Sequence, residues 1–350
     1  MIMCKLGIIG FGGMGGWHEE LIRSIEGLEV RGVYDIRPER LEAAEKLGLT
    51  AFSSLEELLG CQEIELVLIA TPNDVHMPLA IEAMKAGKHV VCEKPAALSS
   101  QELEAMMRTA EETGSFLTVH QNRRWDEDYL TVKELLQQKK LGSLYRLESR
   151  VHGSRGIPGD WRGTPEHGGG MVLDWGVHLL DQMLMLFPDK KITAVYATLT
   201  HVTNQLVDDG FSAELTFEDG VTALVEVGTS NFLSLPRWYV LGQDGTAVIE
   251  DWNCDCRLVR ASGMDEEDVI PVKTAAGLTK TMAPRREDTI YEETMVKVKS
   301  DIRDFYRNVM AVLEHREEPR IKLSEVARVM RLMETIFASA KAHQVMPFEE

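Results

Sequence analysis

A chain of 350 residues with a formal net charge of −18 and 44% hydrophobic side chains is long enough for two domains and apolar enough for a sizeable core. The acidity excludes a nucleic-acid footprint, which is basic, and works against docking on an anionic membrane surface. No apolar run approaches the ~20 residues that span a bilayer, the Gly-rich start from Met1 to Gly16 lacks a signal-peptide cleavage site, and the five scattered cysteines form no CxxC pair, so a cytoplasmic protein with free thiols is expected.

The first part of the chain alternates strand and helix. Lys5 to Ile9 reads as a strand, Gly10 to Gly16 as a glycine turn and Trp17 to Ile25 as a helix. Glu29 to Tyr34 is a second strand, and Pro38 to Leu47 a helix with Pro in its first turn. A short helix over Leu55 to Leu59 leads to the buried-strand run Ile64 to Ala70. Val75 to Ala86 is helical and stops at Gly87, and His89 to Cys92 is a strand. The helix Ser99 to Thr113 carries Ser99 and Glu102 at its start and Gly114 after its end, and Phe116 to His120 is one more strand. Strands that alternate with helices predict a parallel sheet, because each parallel step needs a crossover helix. Right-handed crossovers make it a doubly wound Rossmann sheet.

After residue 122 the pattern changes. Asp126 to Lys140 is a helix. Extended runs follow at Ser143 to His152, Ile192 to Thr203, Phe211 to Phe217, Val221 to Thr229, Trp238 to Leu241 and Thr246 to Asp251, with hairpin signals at Asp219-Gly220 and Asp244-Gly245. A helix at Val172 to Leu186 interrupts them, residues 273–290 read as a long polar loop, and helices at Thr294 to His315 and Ser324 to His343 close the chain. The fold class is therefore α/β: a Rossmann domain over residues 1–122, then an α+β domain over 123–350 with a mostly antiparallel sheet, whose last helix (324–343) is expected to pack back on the first domain.

Four blocks carry chemistry. Gly10-x-Gly12-x-x-Gly15 follows a strand and opens a helix, so Gly10, Phe11, Gly12, Gly13, Met14 and Gly15 are candidates to cradle a dinucleotide pyrophosphate. Asp35 ends the second strand where an acid accepts the ribose hydroxyls, which favours NAD over NADP; Arg37 is placed to meet a 2′-phosphate instead. Thr71, Pro72, Asn73 and His76 lie at the carboxyl end of a strand, the ligand edge of such sheets, although Asn or Asp there also caps a helix. Glu93-Lys94-Pro95 occupies the next such edge, so Glu93 and Lys94 are cofactor candidates, with Lys94 either a substrate-binding ammonium or a surface lysine.

In the fourth block, Gly168-Gly169-Gly170 leads to Asp174-x-x-x-His178 and Asp181. A spacing of four puts Asp174 and His178 on one helix face, with the glycines allowing close approach to a ligand. His is suited to take a hydroxyl proton at neutral pH. The same spacing also fits a buried His satisfied by a carboxylate, or a metal pair, but neither His-Glu-x-x-His nor an obvious third ligand accompanies it, and Cys254-x-Cys256 lacks a second pair; no metal is expected.

Taken together these blocks resemble the Gfo/Idh/MocA oxidoreductases (glucose–fructose oxidoreductase, inositol dehydrogenase and MocA) over nearly the whole chain. The resemblance implies that Lys94, Asp174 and His178 match the family's catalytic trio, with His178 as general base, and that an open sheet mediates a homodimer or homotetramer. It also implies a cofactor-side hinge at Gln121-Asn122-Arg123-Arg124 and an active-site element at Asp160-Trp161-Arg162. Trp161, Arg162 and Gln121 are accordingly cofactor candidates, and Arg123 and Trp161 substrate candidates; His152 and His167 are further candidate substrate contacts. The expected activity is hydride exchange between NAD and a secondary alcohol or ketone of a sugar, inositol or glycoside. Two alternatives remain: a glycosidase that oxidises its substrate transiently with tightly bound NAD, told apart by release of sugar without net NADH, and a non-catalytic dinucleotide sensor, told apart by NADH binding without turnover.

Overall fold

A computed structural model describes residues 3–263 and 269–349. The first half folds as a six-stranded sheet of strands β1 (Cys4–Ile9), β2 (Leu28–Tyr34), β3 (Thr50–Ala51), β4 (Leu66–Ile69), β5 (His89–Cys92) and β6 (Leu117–Val119), in the order β3-β2-β1-β4-β5-β6 and parallel throughout. Between them run α1 (Gly13–Ile22), α2 (Pro38–Lys46), α3 (Leu55–Gly60), α4 (His76–Lys85) and α5 (Ser100–Thr113). The central strands read as continuous apolar runs because both faces are covered: all four residues of β4 are buried. Local chemistry sets the ends of α5, where the Ser99 hydroxyl accepts from the Glu102 amide and Gly114 closes the helix at φ 67°. The strand order reverses between β1 and β4, and ligands bind such sheets beyond the carboxyl ends at that point.

The second half is built on an eight-stranded sheet, β16-β13-β12-β11-β7-β10-β9-β8, preceded by α6 (Glu127–Gln137). Its strands are β7 (Leu144–His152), β8 (Ile192–Thr200), β9 (Gly210–Phe217), β10 (Thr222–Gly228), β11 (Trp238–Gly242), β12 (Gly245–Ile249), β13 (Cys256–Ala261) and β16 (Ile290–Met295). Every pairing is antiparallel except β7 with β10. Strand alternation divides the faces: Ala223, Val225 and Val227 of β10 are buried, on the side where α7 (Val177–Leu186) packs. The other face carries Arg146, Glu148, Arg150 and Glu226 in ion pairs. Two helices close the chain, α8 (Arg303–Leu313) and α9 (Leu323–Ala342); α9 packs on β8 and α7 and also reaches α5 and β6 of the parallel half. The buried apolar residues of both halves join in one cluster, and among the described residues no helix is long and apolar enough to cross a membrane.

Several stretches depart from the sequence expectation. The helix expected from Thr294 begins only at Arg303, because Ile290–Met295 extends as β16 against β13. The alternation of Val296 and Val298 with Lys297 and Lys299 continues a strand-like period of two, whereas the helical stripe of Phe305, Tyr306 and Val309 starts later. Strand β13 was not expected at all. The polar stretch 273–290 carries a separate small hairpin of β14 (Val272–Thr274) and β15 (Gly277–Thr279).

Asp128 of α6 is the polar anchor between this helix and the sheet. Its Oδ2 accepts from the Trp238 indole at 3.1 Å and from Arg237 Nε at 3.1 Å, and all three residues are buried. Removing one member of a buried pair leaves the other charge without compensation, which costs about 3–5 kcal/mol. Asp128→Ala is therefore expected to lose that much stability in urea unfolding; a loss under about 1 kcal/mol would show the pair to be dispensable.

Candidate active site

The glycine turn is tight on its inner side. Gly10 lies at φ +90°, and a Cβ there would sit 2.7 Å from the Ala70 carbonyl oxygen, where the ends of β1 and β4 approach. At Gly15 a Cβ would come within 2.1 Å of the Gly10 carbonyl oxygen, so the helix-to-strand contact admits no side chain. A Cβ at Gly12 would meet only an Arg37 guanidinium nitrogen at 3.9 Å, and one at Gly13 would meet nothing within 4 Å. The turn is thus closed inward and open outward, with the first amides of α1 lacking a side-chain cap. Asp35 stiffens it: its buried carboxylate accepts from Phe11 N at 2.7 Å and Arg37 N at 2.9 Å. Beside it Ile36 is 85% exposed, an apolar side chain held in water at the lip of the cleft, and Met14 is also exposed.

The strand ends behind the turn are held by inward bonds. Asn73 donates to the Gly168 carbonyl at 2.9 Å, tying the end of β4 to the glycine triplet. His76 is fully buried, with Nδ1 2.8 Å from the Pro95 carbonyl oxygen and Nε2 3.0 Å from that of Thr71. His167 faces Asp74 at 3.1 Å. Glu93 turns away from the cleft: its Oε1 accepts from His18 Nε2 at 2.7 Å and His120 Nδ1 at 2.8 Å, and the Tyr306 hydroxyl closes the cluster on His18 Nδ1 at 2.8 Å. Burial pushes the Glu93 carboxyl up, but the two histidines win and hold it well below the carboxylate range. Burial, then the neighbouring His120, lowers His18 to about 4. The ligand-type atoms stand at hydrogen-bond separations, closer than ligands spread around a metal at ~2.0–2.1 Å.

Lys94, Asp174 and His178 converge beyond this cluster. Lys94 Nζ donates to the Asp174 side chain at 2.9 Å and to its carbonyl at 2.8 Å. Arg162 Nε donates to the other Asp174 oxygen at 3.2 Å and lies over the Trp161 ring at 4.6 Å. Burial raises the Asp174 pKa, yet Lys94 and Arg162 bring it below its ordinary value. His178 is buried, with an Nδ1 that has no hydrogen-bond partner among the described residues. Burial, then the charges of Lys94 and Arg123, keeps its pKa well below the usual imidazole value. Asp174 thus answers two cations.

The backbone explains this arrangement. The expected uniform helix starts instead as a π-type turn over Val172–Gly176, which carries Asp174, before α7 begins at Val177. Such turns offset the four-residue register and recur at functional sites. Its first amide is capped by Asp208, whose Oδ2 accepts from Val172 N at 2.8 Å. The three glycines serve chain packing and not ligand approach. A Cβ on each would strike Leu98, the Arg162 carbonyl and Asp208 respectively, at 2.2 Å in every case.

Arg123 lies over Trp175 at 4.1 Å, and the Trp175 ring centre is 5.9 Å from that of His178. His152, a substrate candidate, is the last residue of β7. It shares strand parity with Arg146, Glu148 and Arg150, on the face away from α7, and bonds Glu226 at 2.7 Å and Leu235 N at 3.2 Å. Sequence reasoning missed His18, His120, Tyr306, Asp208 and Trp252, all brought in by tertiary packing without a local motif.

A dinucleotide fits what the cleft leaves open. The turn has backbone amides and no side chain at Gly12. Beyond the sheet end, the Thr71 hydroxyl and both amide atoms of buried Gln121 have no hydrogen-bond partner among the described residues, which is costly unless a ligand or water supplies one.

Comparison with known proteins agrees with this geometry. Residues 4–121 match the family model described as oxidoreductase family, NAD-binding Rossmann fold, and residues 129–248 match the GFO/IDH/MocA C-terminal domain. The crystal structure of an NAD-binding protein from Listeria innocua is similar over 99% of this chain and 100% of that one, at 46% identity and a TM-score of 0.96. The oxidoreductase YdgJ of Escherichia coli is 31% identical over 96% of each chain. The scyllo-inositol 2-dehydrogenase (NADP(+)) IolW of Bacillus subtilis is 26% identical over 99% of this chain and 96% of its own. The chain belongs to the Gfo/Idh/MocA oxidoreductases, with the NAD-binding Rossmann fold of that family in its first half.

Proposed function

We propose that this protein is an NAD-dependent dehydrogenase that interconverts a secondary alcohol and a ketone on a sugar, inositol or glycoside. The observation that carries the reading is His178: an imidazole kept neutral by burial and by two nearby cations, with an unpartnered ring nitrogen, one turn beyond the Lys94–Asp174–Arg162 clamp. An alcohol dehydrogenase needs a neutral base at the hydroxyl and a cation to hold the oxygen.

The Gly10–Gly15 turn and the amides opening α1 would hold the pyrophosphate, Asp35 the ribose hydroxyls, and Thr71, Pro72 and Gln121 the nicotinamide end, with Trp161 and Arg162 closing over that side. Bound NAD supplies the hydride acceptor. His178 takes the hydroxyl proton. Lys94 spends hydrogen bonds on Asp174 and keeps a donor for the substrate oxygen, whose developing negative charge it stabilises. In the reverse direction His178 returns the proton to the ketone oxygen. Asp174 fixes the Lys94 ammonium, and Arg162 fixes Asp174. A carboxylate at Asp35 disfavours a 2′-phosphate, so NAD is the preferred cofactor, although the Bacillus subtilis relative is an NADP(+) enzyme and Arg37 is the group here that a 2′-phosphate would meet. We place the protein in the cytoplasm as a homodimer or homotetramer, acting on a small molecule without nucleic acid or membrane.

Two outcomes are expected. His178→Ala keeps its affinity for NADH but loses about 10²–10⁴-fold in kcat, and the wild-type kcat/KM falls with acid only below about pH 6.5, because a base of lowered pKa stays neutral until then. Full turnover by the variant, or an acid limb above pH 7, removes His178 as the base. Gly12→Ala folds with unchanged thermal stability, since its methyl has room, but binds NADH at least ~10-fold more weakly, since the methyl would stand against the pyrophosphate; unchanged binding by fluorescence titration contradicts the placement.

A further inference from the structure

We propose that Trp252 and Trp175 form a wall of the substrate pocket on which the C–H face of a closed sugar or cyclitol ring stacks. The proposal rests on the dehydrogenase reading above and names the shape of its substrate.

Trp175 follows Asp174 in the π-type turn, and its ring stands near the His178 imidazole at an interplanar angle of 72°. Trp252 arrives from the turn between β12 and β13, and its ring centre lies 6.0 Å from that of Trp175, tilted by 54°. It is 53% exposed, so it is not serving as core. It is nevertheless held on several sides. Asp251 accepts from Asn253 N at 2.8 Å and from Cys254 N at 3.1 Å, pinning the turn. The Arg237 guanidinium lies 4.4 Å from the Trp252 ring centre and is itself anchored on buried Asp128. Arg123 sits over Trp175 at 4.1 Å and 5.8 Å from Trp252.

Two indoles are thus held together, Trp175 beside the proposed base and Trp252 next to it, half in water. A rigid aromatic surface binds with little loss of side-chain freedom. A closed ring offers it a flat patch of C–H bonds while its hydroxyls point to the rim; an open-chain polyol has no such patch. Each of the wall's cations has a carboxylate partner, Asp126 at 3.0 Å for Arg123 and Asp128 for Arg237.

The test is steady-state kinetics with NAD for the wild type, Trp252→Ala and Trp252→Phe, against inositols and methyl glycosides as rings and sorbitol as the open-chain control. The KM for the ring substrate is expected to rise about 10-fold in Trp252→Ala and to return most of the way in Trp252→Phe. The kcat and the Kd for NADH stay as in the wild type. An unchanged ring KM in Trp252→Ala, or wild-type turnover confined to sorbitol, overturns the stacking wall and leaves the dehydrogenase reading standing. Absence of NADH formation by the wild type from every compound removes both.

Discussion

The bond between Lys94 and Asp174 holds the candidate site together. Its partners are 80 residues apart, one at the end of β5 in the parallel sheet and the other in the π-type turn that precedes α7. Each is about 15% exposed, so both charges have left water, and neither would be tolerated there alone. Asp174 answers Lys94 with one oxygen and Arg162 with the other, and burial with the charges of Lys94 and Arg123 lowers the pKa of His178. The histidine therefore stays neutral through burial and neighbouring positive charge, the condition a general base requires.

A second layer of buried polar groups supports this one. Glu93, adjacent to Lys94 in the chain, is held by His18 and His120 on the interior side, and Tyr306 of α8 caps the array. Asp208 caps the turn that carries Asp174, and burial pushes its carboxyl up to about 7 against the pull of the backbone amides it accepts from. Within this layer His120 bonds Glu93 through Nδ1, while its Nε2 has no hydrogen-bond partner among the described residues. Among the buried side-chain atoms without a hydrogen-bond partner in the described residues are those of Thr71, Gln121 and His178, which stand where cofactor and substrate are proposed to sit.

Much of this was legible in the amino-acid order because it depends on local constraints. The glycine turn needs residues without Cβ at Gly10 and Gly15, and both have carbonyl oxygens where a side chain would go. The alternation of buried strands and helices revealed the parallel sheet, and Asp174 and His178 stood out by spacing. What was hidden depends on tertiary packing. The helical period of Val172 to Leu186 does not announce a π-type turn, so the shared face of Asp174 and His178 was inferred without its distortion. The glycine triplet looked like room for a ligand because only the fold shows Leu98, Arg162 and Asp208 filling it. The bonds of His152 to Glu226 and to the Leu235 amide join strands and loops far apart in the chain, which no local pattern announces. Trp252 and the strand β13 beyond it come from a stretch with no motif, in which position is decided by Arg237 and Asp128.

The most direct test of the central claim is absorbance at the NADH wavelength while the purified protein meets NAD, and in parallel NADP, with a panel of inositols, aldoses, sugar acids and glycosides. The expected result is reduction of NAD by at least one of these secondary alcohols, faster than of NADP. A flat trace throughout, from protein shown to bind the nucleotide, would contradict the dehydrogenase assignment.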